Sequence, residues 1–277
     1  MEIIKTEINI GIEKPFTFIH MSDTHLTLAD ERDDDRKIQL AKDRFNGFPQ
    51  AEEVLEAATE YAKKTGYTIC HTGDLIDFVS WANIDRAKEF CETVDVFMAA
   101  GNHEFSQYVG EAWEDADYRN QSLQKVQAAF HNDIRFACRE VNGVKLVAID
   151  DGYYLFEQAQ LDALKEVAIE GKPIILFMHT PLYTPEFYEF SMNRPYPPDS
   201  AYLVAAPEEK ISWYSDHRYR QQKADDITLE AYNYIASEPL IKALIVGHNH
   251  RNFESPFISR IPQIMTGCTD IREITVK

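Results

Sequence analysis

A strand signal that runs straight into ligand-type residues, Tyr67-Thr68-Ile69-Cys70-His71-Thr72-Gly73-Asp74-Leu75-Ile76-Asp77, sets the architecture of this chain. The run from Tyr67 to Cys70 reads as a short buried strand. Ahead of it, Pro49 opens a helix whose apolar face is Val54, Leu55, Ala58, Tyr61 and Ala62. Gly66 ends that helix, as a glycine past the last turn does. Behind it, Ile84, Ala87, Cys91 and Val94 form a second helical stripe, and Val96 to Ala99 is a second strand. Strands alternating with helices make an α/β sheet, and residues at the carboxyl ends of its strands share one edge, where ligands bind.

The same rhythm extends outward. Phe16 to Ile19 reads as a strand, preceded by an edge strand at Ile3 to Ile10. Leu123, Val126 and Phe130 mark a helix. Strands at Ile134 to Val141 and Val144 to Ile149 are joined by Asn142-Gly143, a hairpin turn signal. A helix bearing Leu161, Leu164 and Ala168 stops at Gly171, and strands at Ile174 to Met178 and Leu244 to Val246 flank a helix with Ile227, Ala231, Tyr234 and Ile235. The tail from Gln263 to Lys277 reads as further strands. With no internal repeat and no low-complexity linker, residues 1–277 are expected to form one α/β domain of mixed and hairpin-paired strands. One stretch, 181–224, breaks the rhythm. It is rich in proline and aromatics (Tyr183, Phe187, Tyr188, Phe190, Tyr196, Pro197, Pro198, Tyr202, Trp213, Tyr214 and Tyr219). So many rings argue against disorder and for an ordered lid or subunit contact.

Five clusters of ligand-type residues each follow a strand signal: Asp23 and His25; Gly73, Asp74 and Asp77; Gly101, Asn102, His103 and Glu104; His179; and Gly247, His248, Asn249 and His250. Taken singly they have ordinary explanations. Asp-x-His is commonly a turn, Gly-Asp-x-x-Asp a turn and helix cap, and a lone histidine after a strand a structural one. Together they bring three Asp, Asn102 and five His to one edge. Mixed carboxylate and imidazole donors suit Mn, Fe or Zn better than Mg. His20 and His71 lie within strand signals and are expected to be structural, His131 and His217 match no cluster, and Asp150 and Asp151 are explained by a turn or cap. Arg194, Arg218, Arg220 and Arg251 are candidate phosphate contacts.

In order, these clusters are D-x-H, G-D-x-x-D, G-N-H-[ED], a lone His and G-H-x-H, and the chain thereby resembles the calcineurin-like metallophosphoesterase superfamily over residues 23–250. The resemblance implies a four-layer α/β/β/α sandwich, two mixed sheets flanked by helices. It implies a metal held by Asp23, His25 and His250, a second held by Asn102, His179 and His248, and Asp74 bridging both. A hydroxide bridging the metals would attack phosphorus. His103 would contact the phosphate and protonate the leaving oxygen, with Asp77 orienting its ring and Glu104 in support. The arginine that protein phosphatases of this superfamily carry soon after the second and third motifs is replaced here by Phe78-Val79 and Phe105-Ser106. That disfavours a phosphoprotein substrate.

Composition narrows the partners. Net charge is −18, from 46 acidic and 28 basic residues. Such a surface repels nucleic acid, whose binding depends on Lys and Arg. The acidic run from Asp30 to Asp35 reads as an exposed loop. The longest apolar runs are too short to span a bilayer, and no secretory signal pattern opens the chain, so a cytoplasmic location is expected. Cys70, Cys91, Cys138 and Cys268 show no C-x-x-C spacing and are expected to be reduced and buried. The substrate expected is a small phosphomonoester or phosphodiester; the aromatic stretch could stack the base of a nucleotide or cyclic nucleotide, and core packing explains its rings as readily. The alternatives are a nuclease of the same superfamily or a catalytically silent protein-binding scaffold; homo-oligomerisation through 181–224 stays open.

Overall fold

A computed structural model describes residues 3–112, 116–195 and 198–277; Tyr196 and Pro197 of the aromatic stretch lie outside them. The first sheet orders its strands β1 (Ile3–Ile8), β11 (Ile271–Val276), β2 (Phe16–Met21), β3 (Ile69–His71) and β4 (Val96–Met98). The second orders β5 (Phe136–Val141), β6 (Val144–Ile149), β7 (Ile174–Phe177), β8 (Ile241–Val246), β10 (Ile261–Met265) and β9 (Phe253–Ile258). Both are mixed: β2, β3 and β4 run parallel, as do β6, β7, β8 and β10, whereas β11 pairs antiparallel with β2, and β5 and β9 pair antiparallel at the edges of the second sheet.

Burial on both faces explains why these strands read as nearly continuous apolar runs. All six residues of β6 are buried, and their side chains alternate in destination. Leu146 and Ala148 enter the slab between the sheets, with Phe18, Cys70 and Phe97 from the first sheet and Phe177 and Ile245 from the second. Val147 and Ile149 face outward onto α5 (Gln158–Ile169) and α9 (Asp226–Ser237) through Leu161, Leu164, Ala231 and Ile235. On the other side, α2 (Ala51–Thr65) and α3 (Trp81–Thr93) bury Val54, Leu55, Ala58, Ile84 and Ala87 against Ile19, Ile69 and Met98. Three apolar slabs therefore separate four layers, helix, sheet, sheet, helix, as the resemblance implied.

Two expectations need correcting. The acidic run is not all loop. Asp34 caps α1 (Asp35–Phe45) by accepting from Lys37 N, and Asp35 is its first residue, the place where carboxylates favour a helix. The four cysteines are free, but only Cys70 and Cys91 are buried. Cys138 lies on the exposed side of edge strand β5, and Cys268 is in the turn before β11. Among the described residues, no helix is long and apolar enough to cross a membrane.

The aromatic stretch is folded against the second sheet's outer face, carrying α6 (Pro185–Met192), α7 (Glu208–Ile211) and α8 (Asp216–Gln222). Its ends are pinned together by backbone bonds Tyr183 N→Val204 O and Val204 N→Pro181 O. Buried Gln263 on β10 bonds both the N–H and the carbonyl of Leu182, and Phe187, Leu203 and Val204 join the apolar slab.

Candidate metal centre and its cleft

Register brings the five clusters to one edge. Met21 lies opposite His71, and His71 opposite Met98, so β2, β3 and β4 end level. In the second sheet Phe177 lies opposite Ile245. The loops that follow are tied to one another: Asp23 N donates to Gly73 O at 3.0 Å, His25 N to Asp74 O at 2.8 Å and Gly247 N to His179 O at 2.8 Å. His248 N reaches across the sheets to the Asp23 carboxylate at 2.9 Å. The packing is close enough to require glycine. A Cβ on Gly101 would overlap Asp74 Oδ1, and one on Gly247 would overlap Ser22 Oγ. Asp23, His25, Asp74, His248 and His250 all adopt left-handed backbone, with φ between 54° and 72°. Each such residue costs about 1–2 kcal/mol, and such strain gathers where function over-determines geometry.

The side chains converge into three groups of ligand-type atoms: Asp23, His25 and His250; Asp74, His179 and His248; and His25, Asp74 and His103. In the first, His25 Nε2 is 3.1 Å from His250 Nε2, and His250 Nε2 is 3.4 Å from Asp23 Oδ1. In the second, His179 Nε2 lies 2.9 Å from His248 Nδ1, 3.1 Å from Asp74 Oδ2 and 3.0 Å from Asn102 Oδ1. The same Asp74 Oδ2 is 3.7 Å from His25 Nε2. Ligand bonds of about 2.0–2.2 Å in tetrahedral or octahedral geometry put neighbouring donor atoms about 2.8–3.6 Å apart; the His25–His250 and His250–Asp23 spacings of the first group and those of His179 in the second fall in that range, while His25 Nε2 to Asp23 Oδ1 is longer, at 3.9 Å. Electrostatics agree. Burial alone would pull His179 down, but the charge of Asp74 pushes its pKa up to about 10.

Outer contacts fix which ring nitrogen faces inward. His179 Nδ1 donates to Thr72 O at 2.7 Å, and His25 Nδ1 bonds Asp77 Oδ1 at 2.9 Å, so each turns Nε2 to the centre. His248 turns Nδ1 inward because its Nε2 bonds Tyr154 Oη at 2.8 Å. Such partners orient metal ligands and set their tautomers. Asp77 is not the cap of α3; Ser80 is. The buried Asp77 carboxylate instead accepts from Arg44 Nε and Nη2, both at 2.7 Å, as well as from His25. His103 Nδ1 bonds the Asp77 carbonyl at 2.7 Å, with the carboxylate at 3.3 Å, and its backbone N–H donates to Asp74 Oδ1. Glu104 accepts from the backbone of Gly101, Asp74, Leu75 and Ile76 and thereby ties the second and third clusters together. Burial, followed by the charge of Asp74, pushes its pKa up to about 7.

The structure thus gathers Asp23, His25, Asp74, Asp77, Asn102, His103, His179, His248 and His250 at one place. His20 and His71 are buried beneath it on Thr72, Thr266 and Thr24. Asp151 is no simple turn residue: it accepts from the backbone of His179 and Thr180 and holds that loop. Sequence reasoning missed Arg44, Tyr108 and Tyr154. Tyr154 had a usable signal, because it follows β6 at the same carboxyl edge. Arg44 had none, since it reaches the site from α1. A cleft of about 260 Å³ opens over the centre, lined by Arg44, Asp74, His103, Tyr108, Arg194, Tyr202, Arg218, His248 and His250. Arg251 points elsewhere, to the carbonyls of Asn193 and Phe190.

The family model of calcineurin-like phosphoesterases matches residues 16–252. Among solved structures, the fold resembles a dimetal phosphatase from Danio rerio, with 14% identity, a TM-score of 0.51 and 92% of this chain and 88% of that one covered. It also resembles a purple acid phosphatase from yellow lupin seeds, with 10% identity, a TM-score of 0.52 and 92% of this chain against 44% of that one. No curated protein matches the chain. The family match spans most of the sequence and all five clusters, and the chain belongs to the calcineurin-like phosphoesterases, metal-dependent hydrolases of phosphoric esters.

Proposed function

We propose that the chain hydrolyses a small phosphomonoester or phosphodiester at a dinuclear centre. Asp23, His25 and His250 hold one metal, Asn102, His179 and His248 hold the other, and Asp74 is shared. The observation that carries this reading is the position of Asp74 Oδ2, 3.7 Å from His25 Nε2 and 3.1 Å from His179 Nε2, within reach of both groups. The donors, imidazole nitrogen with carboxylate and amide oxygen, favour Mn, Fe or Zn. When bound, such a pair supplies a nucleophile from water near neutral pH and neutralises charge on phosphoryl oxygens.

The chain's own residues supply the rest. Because His103 commits Nδ1 to the Asp77 carbonyl, its Nε2 is the nitrogen that hands a proton to the leaving oxygen. Asp77 holds His25 and Arg44 in place beneath it. A cleft of about 260 Å³ suits a small ester. Tyr108 and Tyr202 offer ring surface beside it, which keeps nucleotides and cyclic nucleotides in view. A nuclease is disfavoured by the net charge of −18, and a silent scaffold by the complete ligand set.

A panel of phosphomonoesters, diesters and cyclic nucleotides assayed with Mn²⁺, together with elemental analysis, tests the reading. Two metals per chain and turnover of at least one small ester are expected. One metal at full occupancy with no second binding event, or turnover of nucleic acid alone, would overturn it.

A further inference from the structure

Two tyrosines in left-handed backbone line the cleft, Tyr108 (φ 69°) and Tyr202 (φ 56°), and a third, the fully buried Tyr154 (φ 64°), bonds Tyr108. Non-glycine residues rarely take this conformation, which persists where the surrounding structure over-determines it. Tyr154 Oη lies 2.8 Å from His248 Nε2 and 2.6 Å from Tyr108 Oη. On the reading above, His248 gives Nδ1 to a metal, so Nε2 carries the hydrogen and donates to Tyr154 Oη. Tyr154 is fully buried, and the arrangement that leaves its hydrogen paired has it donate to Tyr108 Oη. Among the described residues Tyr108 has no other hydrogen-bond partner, so its O–H is left for whatever enters the cleft it lines.

Three guanidiniums share that cleft. Arg44 is bonded twice to Asp77. Arg218 donates to Asp199 Oδ2 at 2.8 Å, while its guanidinium packs over Tyr108 and Tyr202 at 4.7 and 5.1 Å. The other Asp199 oxygen is taken by Tyr202 Oη. Arg194 differs. Among the described residues its bonds go to neutral acceptors, Ser191 O at 3.1 Å and Asn249 Oδ1. It is a half-buried cation that bonds no carboxylate among the described residues, in a chain of net charge −18.

The geometry points to a second anion seat, formed by Arg194 and the Tyr108 hydroxyl, that takes a negative group of the substrate other than the phosphoryl being hydrolysed, either a phosphate or a carboxylate. The scissile phosphoryl belongs beside Asp74, His103 and His248. Arg194 hangs from Ser191 in α6 and from Asn249, in the turn between His248 and His250. The substrate is then a phosphoester with two anionic ends.

Equilibrium binding of three non-hydrolysable probes to the metal-loaded chain tests this: propylphosphonate, 3-phosphonopropionate and propane-1,3-diylbisphosphonate. The two-anion probes are expected to bind about 10- to 100-fold tighter than propylphosphonate, the range for a charge-assisted hydrogen bond. Arg194→Gln should remove most of that preference, Arg194→Lys should keep part of it, and Tyr108→Phe should reduce it less than Arg194→Gln. The ratio of the two-anion probes tells carboxylate from phosphate. Equal affinity for all three probes in the unaltered chain overturns the seat. So does an Arg194→Gln loss of one size on all three, which would assign Arg194 to the scissile phosphoryl. The hydrolase reading fails separately. A chain that shows the Arg194-dependent preference but turns over no ester would refute hydrolysis and keep the seat.

Discussion

Replacing Asp77 by Asn removes one negative charge from a point where three side chains meet. Its buried carboxylate takes two hydrogen bonds from Arg44 at 2.7 Å each and one from His25 Nδ1 at 2.9 Å. Asparagine keeps the shape but has one acceptor oxygen, so its NH₂ must face an N–H of Arg44 or of His25. At least one charge-assisted bond is lost, about 1.5–3 kcal/mol. Arg44 is left as an uncompensated cation, and its 33% side-chain exposure lets water screen part of that penalty. A destabilisation of about 2–4 kcal/mol is expected, below the 3–5 kcal/mol for breaking a fully buried pair. His25 also loses the acceptor that fixes its tautomer, so metal affinity should fall by about 10- to 100-fold. Urea unfolding and competition against a chromogenic chelator measure the two effects. Adding Arg44→Met should recover about 1 kcal/mol or more, because the stranded charge is gone. Unchanged metal affinity, or additive losses in the double variant, would refute the argument that Asp77 joins Arg44 to the metal ligands.

Further outcomes follow from the same geometry. His103→Ala should retain metal and slow turnover by about 10²–10⁴-fold. Alkyl phosphoesters should suffer more than nitrophenyl esters, whose leaving group needs no proton, and kcat on the two substrates decides this. Chelation should lower the melting temperature, since each metal held at 100 times its Kd adds about 2.7 kcal/mol; calorimetry with and without chelator measures it. Asn249→Ala cuts the bonds from the His248–His250 turn to Ser191 and Arg194. Metal affinity should fall by about 10-fold, and replacing residues 181–224 with a Gly/Ser link should lower it as well as shift substrate ranking. Burial raises the Glu157 pKa, but Arg135 and Arg119 more than offset it and hold it below the usual range. A depressed carboxylate stabilises above its unfolded pKa, and the effect fades as pH falls through the folded one. The melting-temperature gap between the unaltered chain and Glu157→Gln should therefore be present at neutral pH and close on acidification below about pH 4.

Much of this protein is legible in its sequence because the relevant physics is local. A strand buried on both faces must be apolar throughout, so β6, β7 and β8 stand out as runs. A helix between them must show one apolar stripe, as Val54, Leu55, Ala58 and Ala62 do. Residues just after parallel strands must share an edge, which is why Asp23, Asp74, Asn102, His179 and His248 group together from the sequence alone. Tertiary structure decided what depends on approach from elsewhere in the chain. Arg44 reaches Asp77 from a helix whose pattern showed no tie to the site. Tyr154 selects the inward nitrogen of His248 through one hydrogen bond that no spacing encodes. The left-handed backbone at Asp23, His25, Asp74, His248 and His250 is set by the loops that bring them together, not by any local pattern. The aromatic stretch announced itself by composition, yet only its folded path shows α6 clasping the turn that carries His248 and His250. Local periodicity reports which face of an element is buried; it carries no information about which distant side chain arrives to meet it.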